Sequence, residues 1–485
     1  MKSRTGKFRY IDLADQIQSR IEKGAYKLSE KLPSLRVLCQ QTGYSMTTVF
    51  QAYIELEKRG IVESRQRSGY FIRPRLRKLR QTPGMAYHDM VARKITLDDL
   101  VHQLTEDMGN PEVLKLGAVA VSPDHLPCRQ IYKHFKSIPQ DRIPDMIAGY
   151  VHPQGDAQLR RQISNLLFTI MPEVSEEDIV ITNGCTDALS LGLRAVARPG
   201  DTVIVESPAD PWLRQTIKDY DMYALEVPAD PETGIDLDRV EHILEQETVA
   251  ACLVNPNCQN PLGFIMPDDH KKRLLSITEK KGVPILENDV SGDLYFESQR
   301  PVPIKRWDVN HRVLYCGSVS KILAPGLRIG WVVPGQFKEA VCRLKLNRSM
   351  ISPTLSQAVL ANYFKEGTFN RHLRRLRKLI KLQYGYCAAA LNRYLPRTVR
   401  MTSPSGGLTI WIELPEGLKG SDVYYKVRQK GISILPGFLC ARPGIYDRFI
   451  RIGYGGRWDK QMENAIKIIG DTIKEMENRP GGETC

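Results

Sequence analysis

Lys321 stands in the stretch Ser318-Val-Ser-Lys-Ile-Leu-Ala-Pro-Gly-Leu-Arg-Ile-Gly-Trp331, between two hydroxyls and a downstream guanidinium. A lysine amine can form an imine with an aldehyde cofactor. Ser318, Ser320 and Arg328 can hold that cofactor's phosphate, the arginine through paired N–H donors. A lone Ser-x-Ser-Lys reads more readily as a solvated lysine in a loop that precedes a strand; the Pro-Gly-x-Arg-x-Gly-Trp continuation is what sets this stretch apart. Three other places suit the same chemistry. Gly184, Cys185 and Thr186 open a predicted helix, whose first N–H groups and a hydroxyl make a phosphate seat. Asn260, in the polar run Asn255-Pro-Asn-Cys-Gln-Asn-Pro-Leu-Gly263, can donate to a phenolate oxygen. Arg451 lies among apolar residues in Arg448-Phe-Ile-Arg-Ile-Gly453, where a bidentate carboxylate clamp fits.

These residues need elements to bring them together. Short apolar runs recur at Asp178–Thr182, Thr202–Val205, Ala250–Val254, Val283–Leu286 and Val313–Cys316, and amphipathic segments separate most of them. Such alternation predicts an α/β domain with a mostly parallel sheet buried on both faces. Ligands of such sheets sit beyond the carboxyl ends of the strands, and the segments holding Gly184, Asn260 and Lys321 follow such runs.

The chain has 485 residues, room for two or three domains. Its 42% hydrophobic and 26% charged content suits a soluble globular protein. No run of about 18 apolar residues is present to span a membrane. The N-terminus, Met1-Lys-Ser-Arg-Thr-Gly-Lys7, has no apolar signal core. The 10 cysteines are scattered, without Cys-x-x-Cys pairs or zinc spacing. Reduced thiols, a cytoplasmic location and no metal are the expectations.

Charge is unevenly placed. Residues 1–80 carry 18 Lys and Arg against 7 Asp and Glu, whereas the other 405 carry 51 against 48. A basic terminal module on a near-neutral body points to a polyanion partner for that module. Leu13, Ile17 and Ile21 mark one face of a helix ending near Gly24. A second helix follows Ser34, a cap candidate, and stops at Gly43; a third follows Ser45. Val49, Tyr53 and Leu56 form the inward stripe of the third helix, while Thr47, Thr48 and Gln51 face outward. Ile61–Ser64 and Tyr70–Ile72 read as strands around a basic tip, Arg65–Gly69. This order predicts a winged helix-turn-helix on double-stranded DNA, with the third helix in the major groove and the wing on the backbone. The proline-marked basic stretch Arg73–Gly84 reads as an extended tether, solvated or tracking phosphates. A helix over roughly 96–108 leads into the next domain.

Residues 8–73 resemble the GntR-type DNA-binding domain, through Leu-Pro-Ser-Leu-Arg36, Thr-Val-x-x-Ala-Tyr53-x-x-Leu-Glu and Gly60-Ile-Val…Ser-Gly69-Tyr-Phe. The resemblance implies Ser34, Arg36, Ser45, Thr47, Thr48, Arg65 and Ser68 as DNA contacts, to bases or to phosphates. The body resembles the fold-type I aminotransferases, which use pyridoxal 5′-phosphate (PLP). Lys321 is then the Schiff-base lysine. Gly149-Tyr-Val-His-Pro-Gln-Gly155 matches that family's early motif, in which the tyrosine, here Tyr150, reaches the PLP phosphate of the other subunit of a homodimer. The whole arrangement resembles the MocR/GabR regulators, most closely the YjiR-like branch. That implies a head-to-tail homodimer sensing PLP, an amine or an amino acid through an internal aldimine. The implied domains are 1–73 for the winged helix, 74–111 for the linker, 112–350 for the large PLP-binding domain and 351–485 for the small domain.

The chain departs from the aminotransferase pattern at three positions. Asn288 aligns with the aspartate that pairs with the pyridine nitrogen, and Ser291 with the tyrosine on O3′. Asp289 serves only after a one-residue slip, which turns a strand side chain to the other face. Asp210 replaces the stacking aromatic, with Trp212 two residues on as a candidate substitute. An asparagine holds the ring-nitrogen proton less well than a carboxylate, so transamination is expected to be slow or absent. A PLP-dependent transcription regulator is the first expectation. A working aminotransferase, and a DNA-binding protein whose body only dimerises, are the alternatives.

Overall fold

The computed structural model describes residues 8–22, 25–26, 31–65, 69–72, 81–86, 90–94 and 99–478. Backbone packing divides the chain into two units, Met1–Lys78 with Leu382–Arg393, and Leu79–Lys381 with Tyr394–Cys485.

The first unit holds α1 (Arg9–Glu22), α2 (Leu35–Thr42) and α3 (Met46–Lys58), then β1 (Val62–Arg65) and β2 (Gly69–Ile72). Local chemistry fixes the boundaries of α2 and α3. Ser34 Oγ accepts from Val37 N–H at 3.3 Å, and Ser45 Oγ accepts from Thr48 N–H at 3.3 Å, each satisfying a donor that the helix leaves free. Gly43 ends α2 at φ 70°, a left-handed position that suits glycine. Leu13, Ile17, Leu38, Val49, Tyr53, Leu56, Ile61 and Ile72 form one core. β1 and β2 pair antiparallel from Val62–Ile72 to Arg65–Gly69, and Leu32 N–H donates to Tyr70 O at 2.9 Å. This is the winged helix-turn-helix expected.

In the second unit, α4 (Asp99–Gly109) and β3 (Leu114–Lys115) precede α5 (Cys128–Lys136), α6 (Ile143–Ala148) and α7 (Ala157–Leu167). Then come β4 (Val180–Thr182), α8 (Cys185–Val196), β5 (Thr202–Ser207), α9 (Pro211–Asp219), β6 (Tyr223–Asp230), β7 (Gly234–Ile235), β8 (Ala251–Val254), β9 (Ile285–Asn288), β10 (Val313–Ser318) and β11 (Gly330–Val333). They make an eight-stranded sheet in the order β4-β11-β10-β9-β8-β5-β6-β7. The pairs β10/β9, β9/β8, β8/β5 and β5/β6 are parallel, while β11 and β7 run antiparallel to their neighbours. Val180, Val205, Leu253, Leu286, Leu314 and Val332 pack with Leu189 and Leu193 of α8 in a buried core, so these strands read as apolar runs. β12 (Arg400–Met401), β13 (Thr409–Glu413), β14 (Ile432–Ser433), β15 (Leu435–Pro436) and β16 (Phe449–Gly453) complete the strands. β12, β13, β16 and β15 form a smaller antiparallel sheet, and β14 pairs with β3. This is the fold-type I arrangement expected, with its small C-terminal subdomain.

Candidate functional site

Lys321 follows the carboxyl end of β10 and is partly buried. Its Nζ donates to the carbonyl of Val119. Burial lowers its pKa, and the nearby charge of Asp210 opposes that while Arg451 and Arg328 reinforce it. Lys321 and Arg451 line one cavity of about 250 Å³, together with Asp210, Trp212, Val119 and Gly117. The cavity opens where α4, the end of β10 and the small sheet meet, all within the second unit.

Ser318 and Ser320 lie 2.8 Å apart, oxygen to oxygen. Ser318 donates its single hydroxyl proton to Ile329 O at 2.9 Å and is buried, so Ser320 is the hydroxyl able to turn toward a ligand. Across from them, α8 begins at Cys185 behind Gly184, without a side-chain cap. Gly184 has φ 91°, and a Cβ there would lie 2.6 Å from Nη2 of Arg328. Arg328 itself adopts φ 53° and donates from Nη2 to Asn183 O at 2.9 Å. An uncapped helix start beneath a guanidinium is an anion seat, and glycine is what lets the two approach. Thr186 is exposed in an open hollow shared with Asn183 and Asp187.

The strand period separates Asn288 from Asp289. Asn288 Oδ1 accepts from Cys185 Sγ at 3.4 Å and from Val290 N–H at 3.3 Å. Burial pushes the Cys185 thiol far up, so it stays a neutral donor. Asp289 is committed elsewhere. Its carboxylate pairs with Arg300 at 2.7 Å and accepts from Tyr315 Oη at 2.8 Å and Asn257 Nδ2 at 3.2 Å. The slipped alternative would break that buried network, so Asn288 is the one of the two that faces the start of α8.

Asn260 sits between two charges. Its Nδ2 donates to Asp210, and its Oδ1 accepts from Arg451 Nη1 at 2.8 Å. Arg451 also donates from Nη2 to Gly117 O at 2.8 Å. Tyr150 is 78% exposed and does not line the cavity of its own chain. The Lys321–Val119 and Arg451–Gly117 bonds were not anticipated; they join residues more than two hundred positions apart, and no local pattern signals them.

On the winged helix, Ser34, Arg36, Ser45 and Thr47 are exposed and Thr48 is half-buried. Ser34 and Ser45 already use their oxygens as caps, which leaves Arg36 and Thr47 as the freer groups. Arg65 closes β1; Ser68 and linker residues 73–80 lie outside the described residues.

The donor set fits PLP: an amine in a cavity, an anion seat at an uncapped helix start, and an amide at the end of β9. Comparison with known proteins agrees. Residues 111–469 match the aminotransferase class I and II family, and residues 9–72 match the gntR family of bacterial regulatory proteins. The uncharacterized HTH-type transcriptional regulator YjiR of Escherichia coli is 34% identical over 96% of this chain and 98% of its own length. YdcR of the same organism, also an uncharacterized HTH-type transcriptional regulator, is 32% identical over 96% and 99%. Among solved structures, LysN, an alpha-aminoadipate aminotransferase from Thermus thermophilus complexed with N-(5′-phosphopyridoxyl)-L-leucine, superposes with a TM-score of 0.73. It is 25% identical and covers 79% of this chain and 96% of its own. With a gntR-type winged helix ahead of an aminotransferase class I and II body, the chain belongs to the MocR/GabR-type HTH transcriptional regulators, alongside YjiR and YdcR.

Proposed function

We propose that this chain regulates transcription by coupling an amine or amino-acid effector, sensed at Lys321, to the DNA affinity of the winged helix. The observation that carries this reading is Lys321 lining one cavity with Arg451, in a body fused to a DNA-reading head. Bound PLP supplies an aldehyde that condenses reversibly with amines. Desolvation favours the neutral form of Lys321, the form that acts as a nucleophile. The N–H groups at the start of α8, with Arg328 and Ser320, would hold the phosphate. Asn288 would face the ring nitrogen as an amide, holding its proton less firmly than a carboxylate does. That supports sensing over turnover.

Arg36 and Thr47 on the head are the contacts we favour for DNA, with Arg65 and Ser68 at the wing. The exposure of Tyr150 supports a role toward a second copy, in a head-to-tail homodimer. The test is fluorescence anisotropy on DNA from upstream of the protein's own gene, with PLP present. An amine that acts as effector should change the dissociation constant by about fivefold or more in wild type. Lys321→Ala should bind the DNA but show no response. An equal response in both proteins would refute the coupling.

A further inference from the structure

The arginine placed to clamp a carboxylate already has one beside it. Asp210 Oδ2 lies 3.9 Å from Arg451 Nη1, and the Asn260 amide bridges the two side chains. Both are largely shielded, with side-chain exposures of 6% for Arg451 and 19% for Asp210. Of the other guanidinium nitrogens, Nη2 serves Gly117 O, and Nε is buried without an acceptor among the described residues. Each terminal nitrogen keeps a second N–H, so what disfavours a ligand carboxylate here is charge, not a lack of donors. A ligand carboxylate arriving here would meet Asp210 as a like charge at close range, which disfavours it strongly. The same cavity offers Trp212, Leu104, Met108, Leu435 and Leu439 as apolar surface. An ammonium or amine near Lys321, by contrast, meets a favourable field from Asp210.

We propose that Asp210 is a specificity-determining residue that turns this pocket toward primary amines with an apolar body and no α-carboxylate, its own carboxylate occupying the place of the ligand's. This rests on the reading that the pocket takes an amine effector. Asp210 also caps α9, accepting from Trp212 N–H at 2.8 Å, so the test variant must keep the cap.

Asp210→Asn keeps the cap through Oδ1 and removes the charge, together with the bond that Oδ2 accepts from Asn260. The probes are phenethylamine and phenylalanine, which differ by the carboxylate alone. Each is titrated calorimetrically into the PLP-loaded full-length protein. Wild type should bind phenethylamine more tightly by about tenfold or more. Asp210→Asn should shift that ratio toward phenylalanine by about tenfold, or 1.4 kcal/mol. Asp210→Ser, which also caps, should shift it the same way and serves if the asparagine variant does not fold. Three results overturn the proposal: a wild-type preference for phenylalanine, a ratio unchanged by both variants, or no binding of either probe to protein whose PLP absorbance is in place. Failure of wild type to take up PLP at all would instead sink the reading of the pocket itself.

Discussion

Replacing Glu206 with glutamine should remove one defined part of the pH dependence of this protein's stability. Glu206 lies in β5, four residues before Asp210, and is 2% exposed. One carboxyl oxygen accepts from Gln259 Nε2 at 3.2 Å; the other is buried and has no partner among the described residues. Burial pushes its pKa from an ordinary 4.5 up to about 7, although the hydrogen bonds from Gln259 and the Asn255 backbone act the other way. A rise of about 2.5 units at 1.36 kcal/mol each is about 3 kcal/mol. The sign follows from linkage. The folded state holds the proton more tightly than the unfolded chain does. The stability this contributes is whole below about pH 4.5 and is lost as pH rises through about 7. Glutamine mimics the protonated form and does not titrate. Urea unfolding followed by tryptophan fluorescence at pH 4.5 and pH 8 measures the effect. Wild type should lose about 3 kcal/mol more than Glu206→Gln over that interval. Glu287, also raised to about 7 by burial, titrates in both proteins and cancels in the difference. Parallel losses in the two proteins would refute the reasoning.

Two further outcomes are expected. Arg36→Ala, which removes an exposed cation from α2, should weaken DNA binding across all sequences and lower the salt slope of log K by about 1 if it contacts a phosphate; an unchanged slope with altered sequence preference would assign it to a base instead. Asn288→Asp, keeping the acceptor for Cys185, should raise the single-turnover amino-transfer rate by about tenfold or more through a better-held ring proton; no change would mean that other contacts limit the chemistry.

Much of the architecture was legible because it is written locally. Ser34 and Ser45 cap their helices through neighbours three residues on, and Gly43 supplies the left-handed stop. The five apolar runs became β4, β5, β8, β9 and β10 because strands buried on both faces carry unbroken apolar sequence. β11 was harder to see. It follows the lysine loop directly and enters the sheet antiparallel between β4 and β10, a placement set by pairing with distant residues. β6 carries Glu226 and Pro228 within its eight residues, which blurs the apolar signal. Arg214 neutralises Glu226 at 2.9 Å from the neighbouring helix, so burial of that glutamate depends on a partner twelve residues away. The site shows the same division. The lysine, the glycine at the helix start and the asparagine of the polar run each announce their chemistry by type. The engagement of Arg451 by Asp210 and Asn260 does not, since it needs three segments of the chain folded together.

Capture of a vitamin B6 aldehyde by the Lys321 amine is the claim on which the rest stands. Visible absorbance of purified full-length protein, titrated with PLP beside the Lys321→Ala variant, tests it most directly. The expected result is a new band in wild type, distinct from that of the free aldehyde and absent from the variant. Folded wild-type protein that stays colourless, or a variant with the same band, would contradict it.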